Sequence, residues 1–212
     1  MLGFIDILQE WWPVLLAYIV GATPFGLLVG KMKGIDIREH GSGNIGATNV
    51  VRTLGKPVGY SVLALDILKG IVPVLIAKFV TDMSLVHIAT AIAAILGHNY
   101  TFWLKFKGGK GIATTAGAMA PILPIALIAA VLSWIVLLKV TRYVSIASIG
   151  AAIAIPVTYA VCAALKGIWD LPVLIFALII CFLAIWKHRA NIKRLVAGEE
   201  LRFGAKEDEK DD

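Results

Sequence analysis

The chain has 212 residues, of which 59% are hydrophobic and 16% charged, with a mean hydropathy of +0.85 and a formal net charge of +6. An ordinary soluble domain is far less apolar, so the composition specifies an integral membrane protein. The 20 Lys and Arg against 14 Asp and Glu are therefore read relative to a bilayer, and no nucleic-acid partner is expected.

A transmembrane helix takes roughly 20 mostly apolar residues, and Trp11 to Val29 supply the first. Acidic Asp6 and Glu10 lie at its start instead of a basic region, and it runs longer than a signal-peptide core, so it is expected to remain as an anchor. Val58 to Val80 and Leu85 to Trp103 follow. From Gly111 to Lys139 the run is too long for one comfortable crossing and is interrupted by Pro121 and Pro124, which predicts two shorter helices meeting in a turn. The first of that pair, about Ile112 to Ala120, is short and is expected to pack inside the bundle. Val144 to Leu165 and Leu171 to Trp186 complete an all-α, polytopic helix bundle of about seven transmembrane helices, some of them short or broken.

Seven crossings put the two ends of the chain on opposite sides. With the N-terminus outside, 17 of the 20 cations fall on the inner face: Lys31, Lys33, Arg38, Arg52 and Lys56; Lys105, Lys107 and Lys110; Lys139 and Arg142; and seven between Lys187 and Lys210. Lys78 and Lys166 fall outside, and Lys69 lies within a span. The positive-inside rule thus predicts an external N-terminus and a cytoplasmic C-terminus. Residues 1–198 are expected to form a single transmembrane domain, and residues 199–212, ending in EDEKDD, a charged and mobile tail. Cys162 and Cys181 sit in separate apolar stretches without metal-ligand spacing and read as buried spectators.

Three of the inner segments carry candidate chemistry. In the first, Ser42, Asn44, Thr48, Asn49 and Arg52 stand among Gly41, Gly43 and Gly46, a dense set of small donors suited to one anion. The spacing is neither that of a P-loop nor a dinucleotide fingerprint. In the second, KFKGGKG, Lys105, Lys107 and Lys110 flank Gly108, Gly109 and Gly111, and a helix beginning near Ile112 would add free amides, its positive dipole end and the Thr114 and Thr115 hydroxyls. The third places His188 and Asn191 three residues apart, on one helical face, among Arg189, Lys193 and Arg194. Blander roles also fit: a tight turn with Arg52 on lipid headgroups, a basic flank after a span, and an interfacial helix with snorkelling cations. Within the second span, Asp66 and Lys69 are spaced to pair with each other, either as functional charges or as a buried strut orienting Arg52 or the lysine loop. His98 and His87 read as structural, the former within reach of the lysine loop. Asp36, Glu39, Glu199 and Glu200 read as flanking charges, and no metal or cofactor is expected.

GSGNIGATNVVRTLGK, GHNYTFWLKFKGGKGIATTAG and HRANIKRLVAGEE, in this order and on this topology, resemble the three cytoplasmic motifs of the bacterial acyl-phosphate:glycerol-3-phosphate acyltransferase family, the PlsY-type membrane enzymes. The resemblance covers nearly the whole chain apart from the acidic tail. Ile45 stands where many members of the family carry proline, a departure that removes no anion donor. What the resemblance implies is transfer of a fatty acyl group from acyl phosphate to the 1-hydroxyl of glycerol 3-phosphate at the cytoplasmic face of a bacterial inner membrane. Lysophosphatidic acid and phosphate are the products, and neither acyl-CoA nor acyl carrier protein is the direct donor. The implied catalytic set is Ser42, Arg52, Lys110, His188 and Asn191. Gly41, Gly43, Asn44, Thr48, Asn49, Lys107, Gly108, Gly109, Gly111 and Thr114 are implied to bind substrate.

The residues suit two phosphorylated substrates, because several cations and amides are needed to bring two phosphates close enough for hydroxyl and carbonyl to meet. Neither a cysteine beside the motifs nor a histidine followed five residues later by aspartate is present, so direct attack is expected, without an acyl-enzyme. The proton goes to His188 or to a donor phosphate oxygen, and the cationic surroundings favour the phosphate. A transporter of organic phosphates and a non-catalytic binder of anionic lipid remain alternatives, and oligomeric state is not encoded in any motif.

Overall fold

The computed structural model describes residues 4–204, and every regular element among them is helical. The described chain divides into two compact units, the first ending at Pro124 and the second beginning at Ile125.

In the first unit, α1 (Phe4–Gly21) and α2 (Phe25–Met32) form one apolar segment, Gln9–Met32, broken where Pro24 cannot donate a helical hydrogen bond. A short 3-10 turn, Ile37–Glu39, leads to α3 (Ala47–Leu54). The long α4 (Lys56–Val80) follows almost at once, turning on Gly55 at φ 87°. Next come α5 (Ser84–Asn99), a second 3-10 turn (Phe102–Leu104) and α6 (Ile112–Met119). At 1.5 Å per residue, α6 is about 12 Å long, too short to cross a bilayer, and it packs on α4 and α5 as the sequence leads one to expect.

Two close helix crossings organise this unit. A Cβ on Gly21 would lie 2.2 Å from the Ala94 carbonyl oxygen, and one on Gly97 would lie 2.4 Å from that of Tyr18, so α1 and α5 meet backbone to backbone. Likewise α4 meets α6 through Gly70, against the Thr114 carbonyl, and Gly117, against the Ile67 carbonyl. Small residues permit this approach, and in lipid close packing replaces hydrophobic burial as the attraction between helices. The Tyr18 hydroxyl donates to the Tyr100 carbonyl (2.9 Å) and the Thr101 hydroxyl to that of Ala22 (2.6 Å), locking the ends of α1 and α5 together.

The second unit contains α7 (Pro124–Thr141), α8 (Val144–Lys166), α9 (Leu171–Lys187) and α10 (Arg189–Ala197). Met119 ends α6 and Pro124 opens α7, so the proline pair does divide the long apolar run. Trp134 Nε1 donates to the Ser148 hydroxyl (3.3 Å), joining α7 to α8. Between α8 and α9, the Tyr159 hydroxyl donates to the Asp170 carbonyl and accepts from the Asp170 amide, while the Asp170 carboxylate caps α9 at Val173. α9 and α10 are bent by 50° at His188.

Among the described residues, four segments are long and apolar enough to cross a membrane: Gln9–Met32, Ser84–Leu104, Pro124–Thr141 and Val144–Lys166, with a fifth if the bent pair α9 and α10 is one span. Their exposed faces are greasy. Ile128, Leu132, Val136 and Val140 on α7 and Leu165 on α8 all project outward, a surface suited to lipid and not to water.

One expectation is corrected. The tail placed at 199–212 does not begin at Glu199, because Glu200 bonds Asn191 and Arg194, Arg202 Nε donates to the Tyr143 hydroxyl, and the Phe203 amide donates to the Arg142 carbonyl. Residues 199–204 are thus held by partners within their own unit. Residues 205–212 of the proposed tail lie outside the described residues.

The glycine crossings give a contrast in stability. Gly97→Ala drives a methyl into backbone and is expected to cost about 1–3 kcal/mol. Gly150→Ala on α8 meets at short range only the terminal methyl of Leu137, a movable group, and is expected to be neutral or stabilising by up to about 1 kcal/mol. Thermal unfolding of the two variants in detergent checks the order.

Candidate active site

The first motif is a loop held from within. Ile37 and Ile45 bury themselves against Leu27, Val50 and Val62, anchoring it at both ends. Gly41 (φ 56°) and Gly43 (φ 68°) adopt the left-handed conformation, and a Cβ on Gly41 would also strike the Asn49 side chain. Asn49, in the first turn of α3, donates from Nδ2 to the carbonyls of Ile37 and His40 (both 3.0 Å) and accepts at Oδ1 from the Ser42 amide (2.8 Å). Both of its N–H donors are thereby spent and the side chain is buried. Asn49, expected to contact substrate, therefore positions Ser42 instead of offering its donors to an anion. Asn44 Oδ1 accepts from the Gly46 amide (2.9 Å), a turn that presents the start of α3. Gly46 provides no capping side chain there, so the first amides of the helix are available to an anion. Ser42, Thr48 and Arg52 are half-buried, and Thr48 and Arg52, four residues apart on α3, share one face.

The second motif is equally shaped from behind. The amides of Gly108 and Gly109 donate to the carbonyls of Asn99 (3.2 Å) and His98 (3.1 Å). A Cβ on Gly108 would meet the His98 carbonyl at 2.0 Å, on Gly109 the His98 Nε2 at 2.1 Å, and on Gly111 the Asn99 Oδ1 at 2.5 Å. This corrects the expected amide nest: Gly108 and Gly109 spend their N–H groups on α5, and their smallness serves contact with His98 and Asn99. Lys105 (φ 51°), Phe106 (φ 62°) and Gly111 (φ 79°) complete the fold-back. Beside these glycines stand Lys107, which is exposed, Lys110, which is half-buried, and the start of α6, where no side chain caps the helix. Thr114 in its first turn is fully buried, with its hydroxyl lacking any partner. Leu104, just before the lysines, packs on the cluster containing Ile37, Ile45 and Val50, so one apolar base supports both loops.

The third motif lies in the second unit. His188 is buried at the bend between α9 and α10, and its Nδ1 stands 2.7 Å from the Ala184 carbonyl oxygen. A carbonyl only accepts, so Nδ1 carries the proton and the ring orientation is set. Asn191, also buried, donates from Nδ2 to Glu200 (2.6 Å), and Arg194 Nε donates to the other oxygen of the same carboxylate (2.8 Å). Asn191 Oδ1 has no partner, leaving one acceptor for an incoming hydroxyl. Glu200, read from the sequence as a flanking charge, is instead the shared partner of Asn191 and Arg194. The available signal was Gly198, which stops α10 in the left-handed conformation (φ 76°) and returns the chain, with the Glu199 amide on the Arg194 carbonyl (2.8 Å). Burial alone would push the Glu200 carboxyl up; hydrogen bonds from Asn191 and Arg194, with the Arg194 charge, outweigh it and hold the group below its ordinary value of 4.5.

Residues 11–198 match the family model described as glycerol-3-phosphate acyltransferase. The chain belongs to this acyltransferase family. The glycerol-3-phosphate acyltransferase of Desulforamulus reducens is 46% identical over 191 residues, 90% of this chain and 93% of the relative, and that of Aquifex aeolicus is 43% identical over 192 residues, 90% and 97%. Among solved structures, PlsY, an integral membrane glycerol 3-phosphate acyltransferase, is similar in its glycerol 3-phosphate form (TM-score 0.85, 43% identity, 91% of this chain and 94% of that one). Its lysophosphatidic acid form is similar too (TM-score 0.82, 42% identity, 91% and 94%). As an acyltransferase, the protein is a helical integral membrane enzyme, and the matched residues contain the first two motifs and the third as far as Gly198.

The depressed Glu200 sets a pH dependence. A carboxyl whose folded value lies below its unfolded one adds stability that is full above the unfolded value, 4.5, and is lost as pH falls through the folded one. The wild-type unfolding temperature in detergent is therefore expected to drop more steeply on acidification below about pH 4.5 than that of Glu200→Gln. Parallel curves would contradict the assignment.

Proposed function

We propose that the protein transfers a fatty acyl group from acyl phosphate to the sn-1 hydroxyl of glycerol 3-phosphate. The observation that carries this reading is the pairing, within an acyltransferase of this family, of two rigidly backed loops that each present cations beside an uncapped helix start. Each loop offers a phosphate fixed positive potential at little reorganisation cost. Ser42, Thr48 and Arg52, with Gly41, Gly43 and Asn44 shaping their loop, hold one phosphate. Lys107, Lys110, Gly111 and Thr114 hold the other. His188 and Asn191, implied by the family resemblance to be catalytic, belong to the second unit, where the Asn191 carbonyl oxygen lacks a hydrogen-bond partner.

The glycerol oxygen attacks the acyl carbonyl carbon, the bond from that carbon to the phosphate oxygen breaks, and the proton leaves on the released phosphate. Phosphate is a good leaving group, so no acyl-enzyme and no strong general acid are required. The Nδ1–H of His188 on the Ala184 carbonyl orients the ring, and the cationic surroundings favour the donor phosphate over the imidazole as proton acceptor.

The cation distribution supports a seven-crossing topology with the N-terminus outside and all three motifs in the cytoplasm, in the inner membrane of a bacterium. In that topology residues 1–198 act as one catalytic domain.

Purified protein in detergent, given acyl phosphate and labelled glycerol 3-phosphate, is expected to release phosphate only when the glycerol acceptor is present. Arg52→Ala and Lys110→Ala are each expected to lower kcat/KM by at least about tenfold, through KM for a phosphorylated substrate, with unfolding temperature unchanged. Acceptor-independent phosphate release, or wild-type kinetics in both variants, would overturn the reading. A His188→Ala enzyme that binds both substrates but shows no turnover would transfer the base role to the imidazole.

A further inference from the structure

Three titratable side chains lie buried behind the two loops, and the reaction as described uses none of them. Lys69 and Asp66 on α4 form an ion pair at 2.7 Å with both side chains almost wholly enclosed. Lys69 Nζ also donates to the Thr23 carbonyl (2.8 Å) and lies 5.4 Å from the centre of the Phe25 ring. Thr23 stands at the break between α1 and α2, and its carbonyl also accepts the Phe25 amide (3.1 Å) at the start of α2. Lys69 thus ties α4 to the break from which α2 sets out. α2 in turn supports the glycine loop, because a Cβ on Gly26 would lie 1.9 Å from the Ile45 carbonyl oxygen and Leu27 packs with Ile37 and Ile45.

The other arm of the cluster reaches the lysine loop. Asp66 Oδ1 is 3.8 Å from His98 Nδ1, while the opposite ring nitrogen, Nε2, abuts Gly109, and the His98 carbonyl accepts the Gly109 amide. The imidazole therefore spans from the carboxylate to the backbone of the loop. An apolar trio could fill this space without removing two charges from water, a cost of several kcal/mol per ion. What an apolar trio would not supply is a side-chain tie from α4 to the Thr23 carbonyl and an electrostatic hold on the ring.

We propose that Asp66, Lys69 and His98 form a positioning unit for the transfer reaction, with Asp66 acting through His98 on the lysine loop and Lys69 acting through Thr23 on the glycine loop. The inference rests on the reading of the lysine loop as a phosphate site. None of the three touches substrate; each sets where a substrate-binding backbone stands.

The test is a kinetic cycle of His98→Gln, Asp66→Asn and the double variant, with Lys110→Ala alongside. Where Asp66→Asn fails to fold, Asp66→Asn combined with Lys69→Gln replaces it and restores charge balance. His98→Gln is expected to raise KM for a phosphorylated substrate by about tenfold or more with kcat within about threefold, and Asp66→Asn to add less than about threefold in the His98→Gln background. Hydrogen exchange at Gly108 and Gly109 in the folded protein is expected to accelerate in both single variants and to stay at the wild-type rate in Gly150→Ala. Multiplicative effects in the double variant, unchanged KM in His98→Gln, or a fall in kcat alone accompanied by a lower unfolding temperature would overturn the proposal. If Lys110→Ala leaves KM unchanged, the phosphate reading of the loop fails first; if it raises KM while His98→Gln does not, only the positioning inference fails.

Discussion

The approach of helix backbones at glycine governs the first unit. In a bilayer the apolar side chains of two helices gain little by meeting each other instead of lipid, so attraction depends on close contact. Gly21 with Gly97, and Gly70 with Gly117, bring α1 against α5 and α4 against α6 at distances no side chain would permit. The consequence reaches the chemistry directly. α5 ends at His98 and Asn99, whose carbonyls take the amides of Gly108 and Gly109, and α6 begins immediately after the lysines. A shift at either crossing would carry the lysine loop with it.

Within that frame the two loops are rigid for different reasons. The glycine loop is knitted by one amide side chain, Asn49, which engages three backbone groups, and its ends are weighted by Ile37 and Ile45. The lysine loop borrows its rigidity from the end of α5. In both, backbone carbonyls, one amide side chain and packed apolar residues set the shape. Binding then requires little ordering of the protein, the circumstance in which electrostatic stabilisation of a transition state is most effective.

Much of the architecture was legible in the sequence because it is written locally. Pro121 and Pro124 divide the fourth apolar segment, and Gly167 and Gly198 end helices in the left-handed conformation, whereas the break at Pro24 falls within a stretch read as one span. Asp66 and Lys69, three residues apart, were legible as a pair. Side-chain duties were harder to read, since they depend on contacts made across the chain. Asn49 carries the same donors as any anion ligand, and only folding reveals that Ile37 and His40 consume them. Gly108 and Gly109 looked like an amide cradle, but the ring and carbonyls that require them belong to residues some ten positions earlier. Glu200 was taken for a solvated charge because its partner Asn191 sits beyond the turn at Gly198.

That turn bears on where the catalytic polypeptide can be shortened. Cutting after Ala197 would spare every membrane-spanning helix and every residue of the three motifs up to Leu195, so by sequence alone it would seem harmless. It would also remove the carboxylate against which Asn191 and Arg194 are braced, and the backbone donor that reaches Arg142. The minimal enzyme is therefore longer than its last helix, and an expression product trimmed to the apolar bundle would retain the reactive side chains but lose the brace that aims one of them.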